Sequence, residues 1–218
     1  MCSLSLRSGT YKALRQAIEL VYLVGANASR RIGEAARQAY QQVGTATMDR
    51  LLSHWSEAQN MIDHMSRQEM DAVSSVLLFS NNEDVRKTVD WMREQLEPLH
   101  ESSSRGIRNA VAGRGVSSVA PPALESKPDA RIPVRLTRGP LDFDLPESQL
   151  PTQDSSWYAS PEFTLKGDSR FELINFIDGK RTVSEIRNAL SAEFGPLDTR
   201  VVSRYLEHLV HVGVMKWR

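Results

Sequence analysis

Proline is placed so unevenly along this chain that it decides most of what the chain can fold into. Between Thr10 and Leu99 there is one proline, Pro98, whereas eight fall between 121 and 161. A proline ring removes a backbone donor and clashes with the preceding helical turn, so a proline-free run can form long helices and a proline-dense run cannot. The expected organisation has three parts: residues 1–100 form a helical hairpin or bundle arm, 101–160 a proline-rich linker and strap, and 161–218 a small C-terminal domain. The expected fold class is mainly α: an antiparallel helical bundle arm, the linker, and a winged-helix-like domain with short strands.

Apolar spacing supports helices in the first part. Leu14, Ile18, Val21, Gly25, Ala28, Ile32, Ala35 and Ala39 recur in alternating steps of four and three, the seam of a helix lying along another helix. Their small members let a partner helix come close. Gly44, Thr45 and Thr47 suggest a stop and a new N-cap. Met48, Leu51, Trp55, Ala58, Ile62 and Met65 continue the pattern, running on through Met70, Val73, Val76 and Leu77. Ser80-Asn81-Asn82 reads as a turn and cap, with Glu83 and Asp84 well placed against the positive end of a helix. Val85, Val89, Met92, Leu96 and Leu99 form the last seam, which Pro98 is expected to end. Short connections between such helices favour antiparallel neighbours. The Met and Trp side chains of these helices read as core packing, since Met fills irregular gaps.

Residues 101–130, rich in Ser, Gly and Pro, read as a flexible linker. Arg131-Ile-Pro-Val-Arg-Leu-Thr-Arg138 alternates apolar and basic residues and suits one edge strand before a Gly139-Pro140 turn. Leu141, Phe143 and Leu145 suit a second short strand or an extended strap, which Trp157, Tyr158 and Phe163 tack onto a neighbour.

The C-terminal part carries sharper local signals. Ser169 with Glu172, and Thr182 with Glu185, have capping-box spacing ahead of apolar runs. Asp178-Gly179 marks a turn and Gly195-Pro196 a break. Asp198 caps a last helix carrying Val202, Tyr205, Leu206, Leu209 and Val210, Gly213 stops it, and Val214, Met215 and Trp217 suit a terminal strand. Three helices and a strand in this order make the skeleton of a helix-turn-helix or winged-helix domain.

Two resemblances attach to these residues. Phe171-Glu-Leu-Ile-Asn-Phe-Ile-Asp-Gly-Lys-Arg-Thr-Val-Ser-Glu-Ile-Arg187 resembles the helix, Asp-Gly-Lys-Arg-Thr, helix pattern of PqqD-type peptide-chaperone domains, which implies a winged-helix module that binds leader peptides. The helix over 11–43, the 131–145 strap with Arg-Gly-Pro-Leu-Asp-Phe, and Ser191-Ala-Glu-Phe-Gly-Pro196 together resemble the C-terminal extension of bacterial zinc aminopeptidases of the glutamate-carboxypeptidase/transferrin-receptor type. In that family the zinc ligands lie in a preceding catalytic domain, so the resemblance implies an accessory region that positions or pairs a peptidase.

Charge and motifs narrow the function classes. The chain has 27 Lys and Arg against 27 Asp and Glu, so nothing in its net charge draws it to nucleic acid or an anionic membrane. From 168 to 218 there are eight basic and seven acidic residues, a poor balance for neutralising phosphates. The longest apolar cluster, 17–28, is interrupted by Glu19, Gly25 and Asn27 and is too short to span a bilayer. No basic stretch followed by an apolar run opens the sequence, so it reads as lacking a secretory signal and cytoplasmic as written. One cysteine, Cys2, allows no internal disulfide and reads as a disordered bystander.

No metalloprotease, nucleophile-elbow or phosphate-loop motif is present. His208 and His211 lie three apart on one helix without an obvious third ligand beyond Glu207, and they read as solvated histidines rather than a metal site. The sequence therefore points to no catalytic residue, no cofactor and no metal. The expected function is a non-catalytic accessory region, associated with a peptidase, that mediates protein contact or dimerisation. The alternatives are a PqqD-like peptide binder and a DNA-binding regulator that uses Arg200 and Arg204. The partner-contact residues are Arg200, Arg204 and His208, expected on the exposed face of the last helix.

Overall fold

The computed structural model describes residues 2–137, 139 and 141–218, with side chains described from Tyr11 onward. The side chain of Cys2, Arg138 of the expected strand and Pro140 of the expected turn lie outside the described residues. The chain divides into two compact units, Met1–Leu124 and Glu125–Arg218.

The first unit is a bundle of three helices: α1 (Cys2–Thr45), α2 (Leu51–Ser75) and α3 (Glu83–Ala112). A 3-10 turn, Val76–Leu78, follows α2. Arg31 of α1 meets Glu69 of α2, while Gly25 and Tyr40 of α1 lie against Met92 and Gly106 of α3. Position therefore advances together along α1 and α3 and oppositely along α2. The bundle runs down, up, down, as short connections dictate. The seam positions from Val21 to Ala39 are buried, Gly25 among them, where the missing Cβ leaves room for the Met92 thioether. In α3, Val85, Val89, Met92 and Leu96 turn inward as their spacing implies. Asn82 caps this helix by accepting from the Asp84 N–H at 2.8 Å, which satisfies one of the donors a helix start leaves open.

Several expectations fail here for physical reasons. Pro98 does not end a helix but lies inside α3. The turns beyond it bury Ile107 and Val111 against α1 and α2, and that burial outweighs one lost hydrogen bond. Residues 101–112 are thus helix, not linker. The stretch after them is tied down as well: Ser56 donates to the Pro122 carbonyl at 2.8 Å, and Val116 packs on the bundle core. No threonine caps α2, whose N-cap is Arg50 without a side-chain bond. The turn before it closes through Arg50 N–H to the Thr47 carbonyl, and Met48 is exposed. Arg114 closes this end of the bundle by donating to the carbonyls of Val43 at 2.7 Å and Ala46 at 2.6 Å. A guanidinium suits the negative end of a helix.

The expected α2 seam also changes midway. Ser66 and Glu69 take the inward positions, and Met65 and Met70 are only partly buried. As a result the apolar core falls into two clusters. One is built on Val21, Ile32, Val73, Val85 and Leu96, the other on Ala39, Leu51, Trp55, Ile62 and Ile107.

The second unit contains β1 (Pro133–Arg135), α4 (Leu145–Gln149), α5 (Thr152–Ser155), α6 (Asp168–Asn175), α7 (Val183–Phe194), α8 (Thr199–His211) and β2 (Met215–Trp217). The strand expected over 131–138 shortens to β1, which pairs antiparallel with β2, Val134 opposite Lys216. The strand alternative for 141–145 is not adopted, because the chain turns into α4; Leu141, Phe143 and Leu145 nevertheless pack on the core as a strap. Trp157, Tyr158 and Phe163 are buried members of that core, beside Leu173, Ile186, Leu190, Tyr205 and Leu206. Thr182 and Glu185 make a complete capping box at the start of α7. The other box does not form. Ser169 instead bonds to the backbone of Lys166, and Gly167 stands at the start of α6. Gly213, with φ +75°, makes the left-handed step that ends α8 and starts β2.

Candidate functional site

The residues singled out from the sequence as partner contacts all lie on α8, so the site is built outward from that helix. Its stripe of Val202, Tyr205, Leu206 and Leu209 is buried, which turns the opposite side outward. Asp198 caps the helix by accepting from the Arg200 N–H at 2.8 Å. The Arg200 guanidinium folds back on the same carboxylate, and this hydrogen bond holds the Asp198 carboxyl below its usual range. The rest of Arg200 stands in water, its side chain 91% exposed. One turn on, Arg204 lies over the Trp157 ring, 4.7 Å from its centroid. Its guanidinium is also 4.0 Å from Asp154 of α5.

His208 corrects an expectation. It is 7% exposed and does not belong to the solvated face. The Tyr158 hydroxyl meets its Nδ1 at 2.8 Å, and Trp157 packs edge-on against its ring at 5.3 Å. Burial, then the neighbouring Arg204, pushes its pKa down, while burial pushes that of Tyr158 well up. A neutral imidazole beside a firmly protonated phenol suits a bond in which Tyr158 donates to Nδ1.

Two shallow clefts flank the pair of arginines. One is lined by the apolar residues Trp157, Pro161, Pro196 and Val201 together with Glu162, Thr164 and Asp198, and has a volume of about 560 Å³. The other is lined by Leu150, Asp154, Ser203, Glu207, His208 and His211. Arg200 and Arg204 line both clefts and form the ridge between them. Four carboxylates therefore share the site with two guanidiniums.

The segment before β1 braces this helix, a contribution the spacing of residues could not reveal. Glu125 accepts from Ser184 Oγ at 2.6 Å and from Thr199 Oγ1, so a single carboxylate sits at the positive ends of α7 and α8. Asp129 accepts from Arg131 and from Ser203 of α8, and the Arg131 contact keeps its carboxyl below the usual range. Arg131 also reaches Glu207 at 2.8 Å.

Among the described residues no group of three or more His, Cys, Asp or Glu is placed to hold a metal ion. None of the described helices is long and apolar enough to cross a membrane. No family model, curated protein or solved structure matches the chain.

Proposed function

We propose that this chain is a non-catalytic interaction protein whose second unit holds an extended segment of a protein partner beside α8. The observation that carries this reading is the pair Arg200 and Arg204 shared by two clefts, one of which also has Trp157, two prolines and Val201 along its wall. A cleft of mixed lining is what an extended peptide needs: its apolar wall takes side chains, and the arginines bind carboxylates or carbonyls. The four carboxylates around the same ridge oppose the approach of a phosphate backbone and favour peptide over duplex DNA.

The PqqD-type resemblance supports a peptide-binding role. The aminopeptidase-extension resemblance supports an accessory role beside a peptidase domain, which would carry the bound segment. The test is selection of binders from a random-peptide library displayed on phage, using the full chain, followed by titration of the winning peptides with the Trp157 indole resonance as reporter. Peptides that move that resonance and bind the Val201→Glu variant at least about tenfold more weakly support the reading. Peptides that bind this variant unchanged place the site elsewhere. Salt-dependent binding of duplex DNA that is lost in Arg200→Ala/Arg204→Ala would replace peptide by nucleic acid.

A further inference from the structure

We propose that the first unit is an articulated bundle, with a flexing layer where Gly33, Ser66, Glu69 and Pro98 come to one level. The register is set by side chains. Gly25 lies against Met92 and Tyr40 against Gly106, so each α1 residue faces an α3 residue 66 or 67 positions later. Pro98 therefore stands beside Arg31 and Ile32, and Arg31 reaches Glu69 on α2 at 2.6 Å.

At this level each helix is weakened in its own way. In α1, Gly33 is exposed, and a Cβ built on it would meet nothing within 4 Å. Packing does not require glycine there, yet glycine loosens a helix interior. In α2, the inward seam carries Ser66, whose buried hydroxyl has no hydrogen-bond partner, and Glu69, 2% exposed. Glu69 is reached by an arginine that is itself 39% exposed. In α3, Pro98 supplies no N–H to the Glu94 carbonyl, a recognised cause of helix kinks. The apolar core breaks at the same place, one cluster reaching Ile32, Val73 and Leu96 and the other resuming at Ala35, Ile62 and Ile107.

Three independent weak points in three helices, coinciding with a gap in the core, make a joint. Each half keeps its own packed cluster while the layer between them bends. Bending there re-aims the α2–α3 tip, where Leu78 and Phe79 stand 87% and 80% exposed, without disturbing the cluster around Trp55.

Amide hydrogen exchange on the full chain tests this. Amides of 66–70 and 99–102 are expected to exchange on the order of tenfold faster than those of 58–62 and 107–111. In a Gly33→Ala/Pro98→Ala variant the layer slows on the order of tenfold while 58–62 is unchanged. In a Cys2→Ser background, spin labels at Gln16→Cys and Gln38→Cys report the bend directly, and their distance distribution narrows in the stiffened variant. Layer amides as protected as the core, with equally narrow distributions in both proteins, would overturn the proposal.

Discussion

Replacing His208 by alanine separates a solvated contact residue from a member of the core. The ring is 7% exposed and packs against Trp157 and Tyr158, so its removal is a large-to-small change in packed surroundings, with costs of about 2–5 kcal/mol. The change also deprives the buried Tyr158 hydroxyl of its partner at 2.8 Å, which adds roughly 1–3 kcal/mol if water does not replace it. His208 lines a shallow cleft, so water reaches part of the vacated space and the lower ends of these ranges apply. The expected loss is therefore about 3 kcal/mol. Urea denaturation followed by tryptophan fluorescence and far-ultraviolet circular dichroism measures it. Arg200→Ala serves as the control and should shift stability by no more than about 0.5 kcal/mol, as exposed substitutions do. Equal, small effects from both variants would refute the placement of His208 in the core and the hydrogen bond that explains it.

The depressed pKa of His208 also predicts a pH dependence. The unfolded chain takes up the proton first, so stability is fully present above about pH 6.5 and falls as pH drops below it, by at most about 1.4 kcal/mol per unit. Urea midpoints measured between pH 7.5 and 5 should show this slope, and His208→Gln should flatten it. Glu125→Ala leaves Ser184 and Thr199 without their shared acceptor and removes a negative charge from two helix starts; a loss of about 1–2 kcal/mol is expected from the second unit in the same assay. The two bundle glycines should respond differently to alanine. Gly33→Ala meets no neighbour and should stabilise by about 0.5–1 kcal/mol. Gly106→Ala forces the Tyr40 ring aside and should gain less; thermal melts compare the pair, and equal gains would remove the reason given for glycine at 106.

Local patterns carried some of this architecture and hid the rest. The α1 seam, the Asn82 cap, the Thr182–Glu185 box and the Gly213 stop are each written within a few residues, and each could be read from them. Pro98 misled because the local rule treats it as a terminus, while the reason the helix continues lies in Ile107 and Val111, which bury against helices far away in sequence. Ser66 and Glu69 give no inward signal beside Met65 and Met70, because polarity alone argues against an inward place; the partner of Glu69, Arg31, lies 38 positions earlier. At the candidate site, Arg200 and Arg204 lie where helix periodicity puts them. His208 does not, since its partner Tyr158 is 50 residues upstream. The Glu125 brace is hidden for the same reason, being 74 residues from Thr199.

The pairing of β1 with β2 has a mechanical consequence. The two strands lie near opposite ends of the second unit's sequence, yet the Arg218 N–H donates to the Ile132 carbonyl at 3.0 Å, and Trp217 stands opposite Pro133. A chain pulled from both sides of this unit would therefore load the ladder at one end and open it like a zipper, one bond after another, instead of shearing all its bonds together. The ladder is three residues long, so it would yield at low force and leave the cluster around Leu190 and Tyr205 to bear the load.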